Sequence, residues 1–532
     1  MLQVAIIGAG PSGLVATKTC LDYGLIPVTF EKSDRVGGLW NYTDKPDIPS
    51  VMASTVSNTS KEMMSFSDFL FTDDVPNYMP HDILLAYYKS YVNHFKLTNY
   101  IQFQTEVLNV KQADDYKVSK RWIIQHRTLN SKDNEQIQEI KVDGVMCCTG
   151  HHFDPLIPSV PGLSTFKGSI THSARYKTAD GYSGKRVLVV GLGNSGGDVA
   201  VELSRSATQV YLSTRRGAWI LGRVGPRGTP GDILYSNRLS NWFIRNCSWL
   251  SNLVMELWCN RCFDHEKFGL GPKHRFLGQH GVIQDDLANR LLTGCLKMRP
   301  EVTLFTEYGC WFKDGTYTDL DAIILCTGYN YTMPYLSSDL MPLISGSVSL
   351  YKFMYNSELE HSQTLALIGY FQASGPIPPV SELQCRLFCH ILTGKTALPS
   401  ISVMRTEIAH RRRIIKQRYC TASRVSPEVD QIPFMDELAS AIGCCPRAWN
   451  YFLSDPKLAW HLIAGPMSAS AYRIVGPHCW PTAREALLSV KQRVWYPLKP
   501  RPERDCKTSK ISFWAVIFAA AVFAAVYRIF EY

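Results

Sequence analysis

The stretch Gln3-Val4-Ala5-Ile6-Ile7-Gly8-Ala9-Gly10-Pro11-Ser12-Gly13 decides the fold. A short apolar run that stops at a glycine reads as a parallel strand buried on both faces. Pro11 suits the first turn of a helix, which is predicted to run to Tyr23. Pro27 to Glu31 reads as the next strand, so the segment is a complete βαβ unit. Gly8 permits the tight turn, Gly10 lets backbone approach a pyrophosphate, and Gly13 lets helix and strand close up. Ala9, Pro11 and Ser12 complete the cradle, and the helix N-terminus offers it N–H donors and positive dipole. Glu31 stands 23 residues after Gly8, where a carboxylate can accept from both hydroxyls of a ribose.

The pattern returns at Arg186-Val187-Leu188-Val189-Val190-Gly191-Leu192-Gly193-Asn194-Ser195-Gly196, followed by Gly197 and Asp198. A helix is predicted from Ser195 to Arg205 and a strand from Gln209 to Ser213. The same count of 23 now lands on Thr214, flanked by Ser213, Arg215 and Arg216. A carboxylate would repel a 2′-phosphate, whereas hydroxyls and guanidinium groups bind one. The first pocket is therefore expected to hold FAD and the second NADPH. Two further apolar strands end alike, Gly144 to Thr149-Gly150 and Ala322 to Thr327-Gly328, where glycine allows a sharp turn beside a cofactor.

The predicted fold class is α/β: two Rossmann-type dinucleotide-binding domains, a mostly helical insertion and a C-terminal transmembrane anchor. Residues 1–154 and 331–496 are assigned to the FAD domain, and 155–216 and 296–330 to the NADPH domain. Residues 217–295, which lack βαβ rhythm and hold the Trp-bearing run Trp242 to Trp258, form the insertion. It reads equally as packing for its domain and as a tunnel or membrane-contact element. Residues 497–510, with Pro497, Pro500 and Pro502 among basic residues, are the linker, and 511–530 the anchor.

The 532 residues suffice for several cores, and 45% hydrophobic with 19% charged residues excludes a long disordered or fibrous chain. A net charge of +10 is spread out; its densest run, His410-Arg411-Arg412-Arg413 with Lys416 and Arg418, reads as a solvated helix face, with contact to anionic lipid headgroups as the alternative, rather than as a nucleic-acid site. The 16 cysteines form no regular framework, which fits a reduced, cytosol-facing protein. The opening residues show no leader peptide and run straight into a strand. Ile511 to Tyr527 is uncharged, with Trp514 and Tyr527 near its ends and Lys507 and Lys510 before it. That run meets the lower length limit for a spanning helix.

Phe166-Lys-Gly168-Ser-Ile-Thr-His172-Ser-Ala-Arg-Tyr176-Lys177 resembles the F-x-G-x-x-x-H-x-x-x-[YF]-[KP] signature of the flavin-containing monooxygenases. Gly37-Gly38-Leu39-Trp40 looks like that family's flavin-contacting turn, and Ser57-Asn58-Thr59-Ser60-Lys61-Glu62-Met63-Met64 like its active-site segment. Asp455-Pro-Lys-Leu458, Val475-Gly-Pro477, Trp480-Pro481 and the apolar tail are similar to the vertebrate microsomal members, those called dimethylaniline monooxygenase (N-oxide-forming). The resemblance covers essentially the whole chain. It implies that Asn58 is catalytic and lies at flavin and NADP⁺, and that Gln372, in Gly369-Tyr-Phe-Gln372-Ala-Ser-Gly375, lies near the flavin. His172 reads as a structural residue between the domains. The implied chemistry is an NADPH- and O₂-dependent oxygenation in which a C4a-hydroperoxyflavin meets a soft nucleophile, an amine nitrogen or sulfide sulfur, of a small xenobiotic-like substrate. The substrate is then the nucleophile, so no Ser/His/Asp triad is needed. The implied location is the endoplasmic reticulum membrane with the catalytic domains in the cytosol; a homo-oligomer stays open.

Three rivals share parts of this pattern. A disulfide reductase needs a redox cysteine pair beside the flavin, and no cysteine occurs between Cys20 and Cys147. Cys259-Asn-Arg-Cys262 lies in the insertion without a second pair, so it reads as ordinary thiols. Baeyer–Villiger oxidation of ketones by the same flavin intermediate, and an NADPH oxidase releasing hydrogen peroxide, remain alternatives. No metal site is expected.

Overall fold

Strand Gln3–Ile7 lies at the centre of a five-stranded parallel sheet, between Gly144–Cys147 and Ile26–Phe30. Leu365–Leu367 and Ile101–Gln102 form its edges. The computed structural model describes residues 1–129, 136–344, 347–419 and 428–498. Side chains alternate across a strand, and the two faces of this sheet enter two different cores. Val4 and Ile6 pack with Leu14 and Val15 of helix Pro11–Asp22 and with helix Ile377–Leu392 behind it. Ala5 and Ile7 pack with Phe30, Val145, Leu367 and Trp122. Trp122 belongs to an antiparallel layer of Thr105–Gln112, Trp122–Thr128 and Gln138–Val142, and its indole N–H donates to Thr364 Oγ1 at 2.9 Å.

A second five-stranded parallel sheet runs in the order Leu296–Arg299, Gln209–Ser213, Arg186–Val190, Ala322–Leu325, Ser169–His172. Val187 and Val189 face helix Asn194–Leu203, and Leu188 faces Phe166, Phe305 and Phe312 on the other side. Continuous apolar strands are what two covered faces require. The chain passes between the two sheets at two places, and these crossings run side by side. Leu156 N–H donates to Gly328 O at 2.9 Å, and Asn330 N–H donates to Asp154 O at 2.8 Å.

Both βαβ units form where the glycine patterns place them, with ends shifted by one or two residues. The second strand is Ile26–Phe30, so Glu31 stands just beyond it, and the second helix is Asn194–Leu203. The region 217–295 is helical over Gly231–Tyr235, Arg238–Asn246, Ser248–Cys262 and Leu287–Leu292. It also holds two short strands, Ile220–Leu221 and Val282–Ile283, paired in parallel. That pair fastens the region to the second cradle: Gly197 faces Val282 and Gln284 so closely that a Cβ would meet them at 3.4 and 3.5 Å.

The expected anchor at 511–530 and all but the first two residues of the expected linker lie outside the described residues. Among the described residues no helix is long and apolar enough to cross a membrane.

Candidate functional site

The first cradle is backbone against backbone. A Cβ on Gly13 would stand 1.8 Å from Gly8 O, and one on Gly8, whose φ is +101°, would stand 2.9 Å from Cys148 O. Only glycine lets the helix start this close to the strand. Gly10 and Gly38 face each other across the mouth, with a Gly10 Cβ position 3.6 Å from Gly38 Cα. Gly37 N–H donates to Ala9 O at 3.0 Å, which ties the turn Gly38–Trp40 to the cradle. Leu39 O in turn accepts from Val51 N–H. The helix that starts at Pro11 has no side-chain cap, so its first-turn donors suit a phosphate. Glu31 is held in register: Oε2 accepts from Ala9 N–H at 2.7 Å and Oε1 from Ser33 N–H at 2.8 Å. Its remaining lone pairs are free to accept, as a ribose diol requires. These residues fit an unphosphorylated dinucleotide.

The second cradle repeats this construction with different polarity. A Cβ on Gly196 would stand 1.9 Å from Gly191 O, while one on Gly193 would meet nothing within 4 Å. Gly193 therefore borders open space at an uncapped helix N-terminus, as an approaching pyrophosphate demands. Ser195 is exposed in the first turn. Thr214 Oγ1 accepts from Gly217 N–H at 3.1 Å, Ser213 Oγ donates to Pro300 O at 2.7 Å, and Arg215 is exposed. Arg216 O accepts from Lys273 N–H, so the strand-end loop is braced by the insertion. These groups fit a phosphorylated ribose. Asn194 turns aside: its Oδ1 accepts from Ile283 N–H at 2.9 Å. Asp198 Oδ1 accepts from Gln284 Nε2 at 2.7 Å, and burial pushes its pKa up to about 6.

Thr149 Oγ1 and Tyr335 OH are 3.0 Å apart, and Thr327 Oγ1 donates to Leu156 O at 2.6 Å. Gly150 and Gly328 have φ of +70° and +88°, so the chain does turn sharply at both strand ends. Gln372 opens the two-residue strand Gln372–Ala373, paired with Glu428–Val429. His172 is buried with its ring 5.4 Å from that of Tyr329, which suits the structural reading.

The segment 57–60 is gripped from two sides. Ser57 Oγ donates to Thr59 O at 3.0 Å and accepts from Met79 N–H at 2.8 Å. Arg223, from the insertion, donates to Ser57 O (3.1 Å), Val56 O (3.4 Å) and Asn58 Oδ1 (2.8 Å). Asp232 Oδ2 accepts from Ser60 N–H at 2.7 Å, and burial raises the Asp232 pKa. Tyr78 OH donates to Arg223 O at 2.7 Å, and burial moves its pKa up as well. Arg223, Asp232 and Tyr78 are absent from the sequence reading. Arg223 and Asp232 sit where no periodicity or motif marks them, and Tyr78 follows the segment in an irregular stretch.

Two parallel sheets, each opening on a glycine cradle, with an acid closing one and hydroxyl and guanidinium groups closing the other, define an α/β oxidoreductase that uses two dinucleotides. The chain belongs to the flavin-binding monooxygenase family: the family described as "Flavin-binding monooxygenase-like" matches residues 1–531. It is 44% identical to flavin-containing monooxygenase 5 of Rattus norvegicus, over 98% of each chain. To the dimethylaniline monooxygenase [N-oxide-forming] 2 of Macaca mulatta it is 40% identical, over 96% of each. Among solved structures the S-allyl-L-cysteine S-oxygenase of Allium sativum shares the fold, with a TM-score of 0.63 at 20% identity, over 91% of this chain and 98% of that one. The cyclohexanone monooxygenase of Rhodococcus sp. Phi1 shares it too, with a TM-score of 0.60 at 16% identity, over 83% of this chain and 97% of that one. The protein is thus a monooxygenase that uses FAD and NADPH.

Proposed function

We propose that this enzyme transfers one oxygen atom of O₂ to soft nucleophiles, the nitrogen of amines and the sulfur of sulfides. Residues 1–154 with 331–496 would hold FAD, and 155–216 with 296–330 would hold NADPH. The return of Leu365–Leu367 to the first sheet supports that division. FAD, when bound, supplies the redox chemistry with O₂, and NADPH supplies the hydride.

This chain's residues do the rest. The N–H groups behind Gly10, Ser12 and Gly13 and the carboxylate of Glu31 would hold one dinucleotide. Gly193, Ser195, Thr214, Arg215 and Arg216 would hold the other. Gly38, Leu39, Trp40, Thr149, Gly150 and Gln372 would frame the flavin, and Thr327 and Gly328 would lie beside the cofactor at the end of the second sheet. Asn194 and Asp198 would support the second cradle through Ile283 and Gln284 rather than touch the cofactor. Asn58, a neutral amide, would meet the reacting atoms without offering a proton of low pKa, which favours oxygen transfer over loss as peroxide.

The observation that carries this reading is the grip on Asn58: a residue of the flavin domain's segment is hydrogen-bonded by Arg223 from beside the second cradle. Purified holoenzyme, reduced by NADPH without air and then given O₂, is expected to oxygenate trimethylamine or thioanisole with one NADPH consumed per product. Lactone from cyclohexanone and no N- or S-oxide would replace this reading with the ketone one. NADPH consumption that ends only in peroxide would replace it with an oxidase.

We infer membrane attachment from the apolar run after residue 510 and from the exposed Trp242, Phe243, Trp249, Leu253 and Leu257 on two neighbouring helices. Loss of flotation with anionic vesicles on deleting residues 499–532 would assign attachment to that run alone.

A further inference from the structure

Arg223 and Asp285 occupy matching places. Leu221 is in register with Ile283 in the parallel pair, and two residues beyond each strand stand Arg223 and Asp285. One carboxylate takes both the backbone and the side chain of the arginine: Arg223 N–H donates to Asp285 Oδ1 at 2.8 Å and Nη1 to Oδ2 at 2.7 Å. The Arg223 side chain is 12% exposed, against 43% for Asp285. Its other nitrogens reach Val56 O, Ser57 O and Asn58 Oδ1. The neighbouring residues Ile283 and Gln284 bind Asn194 and Asp198 on the helix of the second cradle. A four-residue run, 282–285, therefore touches the NADPH-side helix and, through Arg223, the Asn58 segment.

A guanidinium group has donors and no acceptor. The amide atom of Asn58 that faces it must be the oxygen, which settles an orientation that an isolated amide leaves open. Asn58 Nδ2 then points away from Arg223, and among the described residues it has no hydrogen-bond partner. The carbonyls of residues 56 and 57 are fixed by the same group. A planar fork braced by a carboxylate loses little entropy in making several bonds at once.

We propose that Arg223, braced by Asp285, is a positioning residue that sets the rotamer of Asn58 so that its amide N–H₂, not its oxygen, faces the reacting centre. This rests on the reading of Asn58 above. The consequence is a donor-only edge toward the site. An amide free to flip would turn its acceptor oxygen toward the site and would give up the fixed donor.

The test compares Arg223→Gln, Arg223→Lys and Asp285→Asn with the parent, and combines Arg223→Gln with Asn58→Ala. In Arg223→Gln the kcat for sulfide oxygenation should fall roughly tenfold to hundredfold, the size of a lost charged hydrogen bond. The KM for NADPH and the bound FAD should stay within about threefold, and more NADPH should end as peroxide. Arg223→Lys should recover part of the loss, and Asp285→Asn should show a smaller loss in the same direction. The double variant should be no worse than Asn58→Ala alone, because coupled residues are not additive. Amide exchange over residues 56–60 in the oxidised holoenzyme should speed up in Arg223→Gln, a readout independent of turnover. A parent that oxygenates sulfides while Arg223→Gln keeps its kcat and exchange, or losses that simply add, would overturn the proposal. A parent that never oxygenates would instead overturn the functional reading.

Discussion

Glu62 and Arg493, 431 positions apart, form a buried ion pair: Arg493 Nε donates to both Glu62 carboxylate oxygens at 3.1 Å, and Nη2 joins the fork. Glu62 is 3% exposed and Arg493 8%. Glu62 lies on the short helix Lys61–Met64, directly after the Asn58 segment, and Arg493 lies on Val490–Trp495, near the end of the described chain. Met63, Ile233, Val490 and Val494 make a small apolar cluster around them. Asn77 Nδ2 donates to Val494 O at 2.8 Å. Lys61 Nζ, fully buried, donates to the carbonyls of Asp73 and Val75 at 2.7 and 2.8 Å. The Asn58 segment is thus held by the insertion on one side and by the last described helices on the other.

Removing one partner of such a pair leaves a buried charge uncompensated. Arg493→Met is expected to destabilise the holoenzyme by about 3–5 kcal/mol, whereas Glu62→Leu with Arg493→Met should recover much of that loss. Thermal unfolding of the three proteins measures it. A single variant as stable as the parent would mean that the pair adds nothing. Activity should follow stability here, since both side chains are buried and bonded to each other.

The two cradles distinguish packing from binding at glycine. Gly196→Ala would place a methyl 1.9 Å from Gly191 O, so soluble protein should be scarce. Gly193→Ala meets nothing within 4 Å, and its φ of −120° suits any residue. The NADPH-free Tm should change by only a degree or two, with a helix-cap cost of at most about 1 kcal/mol. The KM for NADPH should nevertheless rise at least tenfold, because the methyl fills the approach to the pyrophosphate. Normal NADPH affinity in Gly193→Ala would remove the second cradle from the cofactor site.

The glycine patterns were legible because close backbone approach leaves a local mark that one residue type satisfies, and spacing alone set Glu31 and Thr214 just beyond their strands. Element ends were legible to within two residues. The grip on Asn58 was not. Arg223 and Asp232 act on a segment 165 and 172 positions away in sequence, Asp285 acts on it through Arg223, and nothing local sets an ion-paired arginine apart from a solvated one. The two short strands of the insertion escaped notice for a related reason: two residues carry no periodicity. The side chains of Asn194 and Asp198 fit the motif by spacing, yet both bond to the insertion, which only the folded chain brings near.

Cofactor preference should follow the strand-end residues. Arg215 is exposed, so Arg215→Ala should leave the fold unchanged. It should raise the KM for NADPH roughly tenfold to hundredfold, the loss of one charge-assisted phosphate contact, with little effect on NADH. Steady-state kinetics with both nucleotides decides this. An unchanged ratio of the two kcat/KM values would move 2′-phosphate recognition away from this loop.

Asp198 adds a dependence on pH whose sign is fixed by burial. Its folded pKa is raised from 3.8 to about 6, mainly by desolvation, with Asp285 also pushing it up and Arg223 pulling it down. Between those two values the folded chain keeps a proton that the unfolded chain has lost. The stability from this group is therefore complete below about pH 4 and declines as pH rises through 6. The loss is on the order of 3 kcal/mol. Other carboxylates titrate too: burial raises Asp232 and Glu202, which act with the same sign, while Asp68 and Glu106 are lowered and act with the opposite sign at more acid pH. The signal accordingly lies in the difference between parent and Asp198→Asn. The amide needs no desolvation of charge and can still accept from Gln284. Relative to the parent, Asp198→Asn should gain stability from pH 4 to pH 7 and level off above it, as read by denaturant midpoints at each pH. A difference that is flat across this range would mean that Asp198 titrates as an ordinary carboxylate.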